Sequence, residues 1–135
     1  MNADFTYEIA LAYLDDHASY QKTGRIDSPS TDVIEAFCSV MGDPQHCAPV
    51  IHVTGTNGKG STVQMISRML AAAGLSVGTY TSPHLERVNE RMRRNGESIS
   101  DEEFAEQIAA IADLEAVVGM RPSYFEIMTA AAFRW

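Results

Sequence analysis

Residues 50–63 read VIHVTGTNGKGSTV, and this stretch decides the fold of the chain. Its first part, Val50–Thr54, is rich in β-branched residues and predicts a short strand. The glycine-rich turn Gly55–Gly60 comes next, and Ser61–Ala73 follows with apolar residues at helical spacing and Gly74 as a stop. A strand that leads through a glycine-rich turn into a helix is the setting in which many proteins hold phosphate groups.

The chemistry of the turn favours a phosphate site. Glycines let the backbone turn tightly with its N–H groups pointing inward, and the helix N-terminus adds a partial positive charge. Lys59 adds a full charge that can reach outer phosphates, and Ser61 or Thr62 can offer a hydroxyl group to Mg²⁺. The spacing departs from the common GxxxxGK[ST] pattern, because Val53 and Gly60 stand where that pattern needs Gly and Ser or Thr. On the residues alone, a flexible glycine turn without a ligand remains an alternative.

The elements on either side extend this reading. Val77–Thr81 predicts a second strand, so the order strand–helix–strand predicts a parallel βαβ unit with a right-handed crossover. Asn95-Gly96 is a tight-turn pair and predicts a small hairpin. Gln21–Pro29 is expected to be a loop. The remaining predicted helices are Thr6–Tyr20, Asp32–Met41, Asp101–Val118 and Ser123–Trp135, the last opened by a capping box of Ser123 and Glu126.

The bulk properties narrow the possible partners. The 135 residues suffice for one modest domain, and the formal net charge of −8 argues against nucleic acid as a partner. No apolar run approaches the roughly 20 residues that span a bilayer, so no membrane partner is expected and the predicted location is cytoplasmic. The basic residues Arg87, Arg91, Arg93 and Arg94 are expected to form mostly a solvated face, of which one member approaches an anionic substrate.

Four blocks of the sequence resemble one family in order. His52–Ser61 is similar to the phosphate loop of folylpolyglutamate and dihydrofolate synthases, whose Gly-Thr-Asn-Gly-Lys core is shared with the wider Mur ligase family. Val77–Leu85 resembles the second strand and following loop of these synthases. Asn89–Arg91 with Asn95–Ile99 resembles the next segment, and Ser123–Glu126 resembles the pterin-side segment.

This resemblance implies an α/β fold, namely the P-loop NTPase-like parallel sheet with flanking helices of a Mur ligase ATP-binding domain, apparently truncated. Residues 1–48 would be a helical lead-in and residues 49–135 the start of the P-loop α/β core. The family's next strand with its acidic residue and the C-terminal domain have no counterpart in the sequence. We therefore expect the chain alone to be inactive as a ligase and to self-associate through exposed edges.

The activity that the resemblance implies is that of an ATP-dependent ligase. In the family, ATP converts the carboxylate of dihydropteroate or of a folate into an acyl phosphate, and the amino group of L-glutamate attacks it to form an amide. ATP and Mg²⁺ would be the cofactors, and dihydropteroate or folate and L-glutamate the partners. Two alternatives stay open: another Mur-type amino-acid ligase, and a non-catalytic nucleotide-binding module.

The resemblance also implies roles for individual residues. Lys59 would be catalytic, Ser82 would bind the metal ion, and Ser123, Tyr124, Phe125 and Glu126 would bind the pterin-bearing substrate. Each of two residues also has a purely structural alternative. Ser82 before Pro83 can serve only to form a turn, and Glu126 only to cap its helix. His84 is expected to line the loop rather than to catalyse. The residues that would hold the ATP phosphates are Thr56, Asn57, Gly58, Lys59, Gly60 and Ser61.

Overall fold

The computed structural model describes residues 4–18 and 30–135, which form two compact units. One unit combines the residues up to Ala48 with Glu102–Trp135, and the other is Pro49–Asp101. The division at residue 48 coincides with the end expected for the helical lead-in, whereas residues 102–135 group with that lead-in. The predicted loop Gln21–Pro29 and the last residues of the first predicted helix lie outside the described part of the chain.

The described helices and strands are short and follow the sequence patterns closely in most places. The helices are α1 (Tyr7–Asp16), α2 (Asp32–Val40), α3 (Lys59–Ala72), α4 (Asp101–Val118) and α5 (Tyr124–Arg134), with 3₁₀ turns at Pro44–His46 and Val88–Arg91. The strands are β1 (Gly78–Tyr80), β2 (Met92–Arg94) and β3 (Glu97–Ser98). No helix in these described ranges is long and apolar enough to cross a bilayer.

The unit that ends at Trp135 is helical and holds most of the buried apolar side chains. Helix α5 packs against α1 and α2 within it. Each buried aliphatic or aromatic side chain stabilises the fold by about 1.5–3 kcal/mol, so this core dominates the stability of the unit. An edge-to-face contact joins Tyr7 and Phe104, whose ring centroids lie 5.6 Å apart. The large, fully buried residues here are Leu14, Phe37, Phe104, Ile108, Ile111, Ile127 and Met128.

The unit Pro49–Asp101 contains α3 and a three-stranded sheet in the order β1-β2-β3. Both pairs are antiparallel, with Thr79 opposite Arg93 and Arg94 opposite Glu97. Asn95 and Gly96 have φ values of 53° and 92°, the positive angles that a tight two-residue hairpin turn requires. The predicted hairpin at Asn95-Gly96 is therefore confirmed.

Among the residues that it describes, the structure does not show the predicted parallel strand–helix–strand unit. Val50–Thr54 forms no strand, and Val50 and Ile51 are 69% and 61% exposed. The second predicted strand exists as β1, but it pairs antiparallel with β2. β-Branched residues favour an extended backbone, yet a strand also needs a hydrogen-bonding neighbour, and β1 takes its neighbour from a nearby segment rather than across a helical crossover. The central helix is confirmed, although α3 begins at Lys59 instead of Ser61.

Candidate functional site

The glycine-rich turn forms the entry to helix α3. Gly55 and Gly58 have φ values of 147° and 79°, and Gly58 is the N-cap of the helix. A Cβ atom on either glycine would meet nothing within 4 Å, so the backbone angle and not crowding requires glycine there. The first N–H groups of α3 have no intrahelical acceptor, which makes this end of the helix suited to anions.

Lys59 is the first residue of α3, and its ammonium group folds back over the turn. Its Nζ atom donates to the carbonyl oxygens of Gly55 at 2.6 Å and Thr56 at 3.4 Å. The Thr62 hydroxyl donates to the carbonyl oxygen of Gly58 at 2.9 Å. Of the two hydroxyl groups considered for Mg²⁺, Ser61 is the exposed one. The six predicted phosphate-binding residues thus lie exposed on the end of the turn and the first residues of α3, with the charge of Lys59 among them.

Ser82 lies at the start of a second loop, Thr81–Arg91, in the same unit. It is exposed, and its peptide bond to Pro83 is cis. Among the described residues, no three His, Cys, Asp or Glu side chains lie close enough together to hold a metal ion. A hydroxyl group alone cannot hold Mg²⁺, but Mg²⁺ commonly takes most of its ligands from phosphates and water. Ser82 therefore fits a metal ion that arrives with a nucleotide.

A carboxylate that the sequence analysis did not single out organises this loop. Glu90 accepts hydrogen bonds from the backbone N–H groups of Leu85, Glu86 and Arg87 at 2.9, 2.9 and 2.8 Å. These three hydrogen bonds lower the pKa of Glu90 from 4.5 to about 2. The only sequence signal was a Glu three residues after the start of a turn, which is the spacing of a capping residue.

A second polar network fixes the other side of the loop. The Arg87 guanidinium group contacts both carboxylate oxygens of Asp101 at 2.8 Å, and the Asn89 side chain donates to Asp101 at 3.0 Å and to the Ile99 carbonyl oxygen at 2.9 Å. Bidentate arginine–carboxylate pairs fix orientation as well as distance. The loop that carries Ser82 is thus rigidly supported by side chains whose importance no local pattern revealed.

The expectation of a solvated arginine face is wrong for Arg91. This residue is 7% exposed, and its Nε–H group donates to Nδ1 of His84 at 2.9 Å. Because Nδ1 accepts this bond, the hydrogen of a neutral His84 ring lies on Nε2. The prediction that His84 lines the loop agrees with its half-buried position. The charges of the sequence alone could not reveal this pairing, since it depends on how the loop folds back.

Ser123–Glu126 lies in the other unit, at the start of helix α5. The Glu126 carboxylate accepts from both the backbone N–H and the hydroxyl group of Ser123 at 2.7 Å, and the Glu126 N–H donates to the Ser123 oxygen at 3.4 Å. The predicted capping box is confirmed. Phe125 is 57% exposed, so an aromatic ring stands in solvent beside the cap.

Comparison with known proteins finds relatives among the folylpolyglutamate and dihydrofolate synthases, although no family model matches the chain. The chain is 45% identical over 109 residues to the dihydrofolate synthase/folylpolyglutamate synthase of Bacillus subtilis, an alignment that covers 78% of this chain and 25% of that protein. It thus spans about a quarter of the length of this curated relative.

Solved structures agree with this relationship. The structure of Mycobacterium tuberculosis folylpolyglutamate synthase complexed with ADP matches 95% of the chain with a TM-score of 0.84 and 33% identity, over 28% of that protein. A bifunctional folylpolyglutamate synthase/dihydrofolate synthase with Mn, AMPPNP and L-glutamate bound matches 99% of the chain with a TM-score of 0.81 and 34% identity, over 30% of that protein. The resemblance drawn from the four sequence blocks is confirmed.

Proposed function

We propose that this chain binds the nucleotide for an ATP-dependent ligase reaction. The reason is that the chain belongs to the folylpolyglutamate synthase/dihydrofolate synthase family over the part that it matches. The reaction joins L-glutamate to dihydropteroate or to a folate through an acyl phosphate. The observation that carries this proposal is the turn Gly55–Gly60 at the start of α3, with the Lys59 charge folded over it. The ADP and AMPPNP bound to the related synthases support the same assignment.

The residues of the turn would share the work of holding phosphate. Thr56, Asn57, Gly58, Gly60 and Ser61 would donate hydrogen bonds from backbone and side chain. Lys59 would exchange the carbonyl oxygens of Gly55 and Thr56 for phosphate oxygens, which carry more negative charge and bind an ammonium group more strongly. Preorganised donors of this kind stabilise charge on a transferring phosphoryl group.

Two further sites complete the proposed assignment. The Ser82 hydroxyl group would ligate Mg²⁺, which neutralises phosphate charge when it is bound with ATP. Ser123–Glu126 would contact the pterin-bearing substrate, and the exposed ring of Phe125 offers it a flat apolar surface. We likewise propose a P-loop-like parallel sheet that includes Val50–Thr54 as a strand, supported by the β-branched composition of this run and by the TM-score of 0.84 with the related synthase.

Nucleotide binding by the chain tests the assignment directly. Lys59→Ala removes the charge at the turn, and we expect the affinity for Mg-ATP, measured by titration calorimetry, to fall by roughly tenfold or more. Lys22→Ala removes the same charge elsewhere in the chain and serves as the matched control. Equal affinity of the Lys59 variant and the control would contradict the proposal.

We propose that these 135 residues alone do not complete the ligase reaction. The chain spans about a quarter of its curated relative, so most residues of that protein have no counterpart in these 135. We therefore expect no glutamate-dependent ADP release when the chain is mixed with Mg-ATP, dihydropteroate and L-glutamate. Glutamate-dependent turnover would show that the reaction needs nothing more than this chain.

We also propose that the chain self-associates through the unit Pro49–Asp101. Large apolar side chains stand in solvent there, among them Val50, Ile51, Met65 and Met69, and extended apolar segments without a ladder partner tend to pair with other chains. Val50→Lys should lower the solution mass measured by light scattering. Val117→Lys is the matched control, because Val117 is also 69% exposed but lies in the other unit. A monomeric unsubstituted chain would refute self-association.

A further inference from the structure

Three polar side chains form a cluster between helices α1 and α4 that the proposed function does not use. His17 is buried at the end of α1, and its Nε2 atom lies 3.2 Å from Oε2 of Glu115 on α4. The Tyr13 hydroxyl group donates to the same carboxylate oxygen at 2.5 Å. The rings of Tyr13 and His17 lie against each other with centroids 4.3 Å apart. The residues at the two ends of this cluster are about a hundred positions apart in the sequence.

The acceptors around His17 determine which of its ring nitrogen atoms must carry hydrogen. Nδ1 of His17 lies 2.7 Å from the Tyr13 carbonyl oxygen, which only accepts, so Nδ1 carries a hydrogen. Nε2 faces the Glu115 carboxylate, another acceptor, so the contact needs a second hydrogen, whether it is bonded to the ring or to the carboxyl group. Burial and the hydrogen bond to Glu115 raise the pKa of Tyr13 above its ordinary value, so its hydroxyl group stays a donor to the same carboxylate.

The cluster is connected to the start of helix α5. The backbone carbonyl oxygen of His17 accepts a hydrogen bond from the Tyr124 N–H group at 3.0 Å. One residue earlier, the Asp16 carboxylate and carbonyl oxygens accept from the Arg121 guanidinium group at 2.5 and 3.3 Å. The first N–H groups of a helix have no intrahelical acceptor, so the Tyr124 bond fixes α5 to the end of α1 rather than to itself.

We propose that His17 is a positioning residue: held by Glu115 and Tyr13, it sets the place of the segment Ser123–Glu126 through the Tyr124 N–H group. The inference rests on the proposed function where it assigns this segment to the pterin-bearing substrate. The groups that face His17 are Tyr13 from its own helix and Glu115 from α4, while Asp16 and Arg121 form the neighbouring anchor. Loosening the cluster then releases the substrate segment without removing any group that touches substrate.

Two substitutions at Glu115 separate the effect of its hydrogen bond to His17 from the effect of its negative charge. Glu115→Gln keeps the shape and supplies an amide hydrogen to Nε2 while its oxygen still accepts from Tyr13. Glu115→Ala removes both contacts. The reporter is hydrogen exchange of the Tyr124 amide, compared with the amides of Ile108 and Ile111 in the interior of α4. We expect Glu115→Ala to speed exchange at Tyr124 by about tenfold relative to those amides, and Glu115→Gln to restore protection.

A less destabilising substitution tests the proposal if Glu115→Ala unfolds the chain. Asp16→Ala removes the exposed ion pair with Arg121, and it should speed exchange at Tyr124 by roughly twofold with the α4 amides unchanged. Equal acceleration of Tyr124 and α4 amides in the folded variants would mean general destabilisation and would overturn the proposal. So would unchanged exchange at Tyr124 in Glu115→Ala.

Binding of dihydropteroate to the chain separates this inference from the proposed function. If the chain binds it, the dissociation constant should rise in Glu115→Ala in step with exchange at Tyr124 and recover in Glu115→Gln. If Tyr124 exchange responds as expected but the unsubstituted chain does not bind dihydropteroate, positioning by His17 stands and the substrate assignment of Ser123–Glu126 fails. Binding that is indifferent to Glu115→Ala while Tyr124 exchange rises would refute the link from position to affinity.

Discussion

The two units of the chain are stabilised by different means. In the unit with Glu102–Trp135, large apolar side chains from four helices are almost fully buried, and Phe37 and Ile108 are 1% and 0% exposed. In the unit Pro49–Asp101, the buried apolar side chains among those described are Val88, Met92 and Ile99, while the glycine turn Gly55–Gly60 and Ser82 are exposed. Here positive backbone angles and charged hydrogen bonds fix the shape.

This contrast fits the roles proposed for the units. A buried core gives stability that does not depend on a few polar atoms, whereas a binding loop must leave its donors accessible and be held from behind. Glu90 and Asp101 provide that support for the Ser82 loop through hydrogen bonds to Leu85, Glu86, Arg87 and Asn89. Perturbing each unit by its own means of stabilisation should therefore give effects of different size.

The largest effect is expected in the helical core. Phe37→Ala should lower the free energy of unfolding by about 3–5 kcal/mol, because it removes a buried ring and leaves a cavity. Leu85→Ala in the other unit should change it by less than about 0.5 kcal/mol, since Leu85 is 92% exposed. Urea unfolding followed by circular dichroism measures both. A large decrease in the free energy of unfolding from Leu85→Ala would contradict the contrast between the units.

A smaller effect is expected from backbone angle alone. Gly58→Ala should lower the free energy of unfolding by about 1–2 kcal/mol, because alanine is strained at a φ of 79° even though no atom obstructs its Cβ. Gly60→Ala is the matched control two residues away: its φ is ordinary, its Cβ also meets nothing, and it lies in α3, so the change should be neutral or slightly stabilising. Equal unfolding midpoints for the two variants would show that the turn is not held in this conformation.

The smallest effect is a local dependence on pH in the Ser82 loop. The pKa of Glu90 is lowered from 4.5 to about 2 in the folded chain. The contribution of its carboxylate to the stability of the Ser82 loop is therefore fully present above pH 4.5 and is lost as the pH falls towards 2. The amide resonances of Leu85, Glu86 and Arg87 should therefore move together in this range, and Glu90→Ala should abolish the response. Glu97→Ala, which removes an exposed carboxylate of β3, should leave it intact. A response that survives Glu90→Ala would refute this account of the loop.

Much of the fold could be predicted where the forces are local. The start of α4 followed from the capping spacing of Ser100 and Glu103, and the capping box of α5 followed from the same spacing of Ser123 and Glu126. The hairpin at Asn95-Gly96 followed because these two residues accept positive φ. The exposed turn at Gly55–Gly60 could likewise be placed at the start of a helix, since glycines and the helical pattern adjoin.

Other features could not be predicted, because each depends on a partner that the local pattern does not name. The β-branched run Val50–Thr54 indicated a strand, but pairing decides whether a strand forms, and β1 pairs with β2. Arg91 was placed on a solvated face by its charge, yet it is buried against His84. His17 carried no signal in its own neighbourhood, since its partner Glu115 lies on α4.

The amino-acid sequence by itself determined the local conformations: the glycine turn with Lys59, the helix caps, the hairpin and the family resemblance that these blocks carry. Only the tertiary structure decided which segments pair and which charges meet, including the choice of β2 for β1 and the contacts of His17 with Glu115 and Tyr124. The physical reason is range. Backbone angles and caps depend on residues within about one helical turn, whereas strand partners and buried polar contacts depend on packing between residues far apart in the chain.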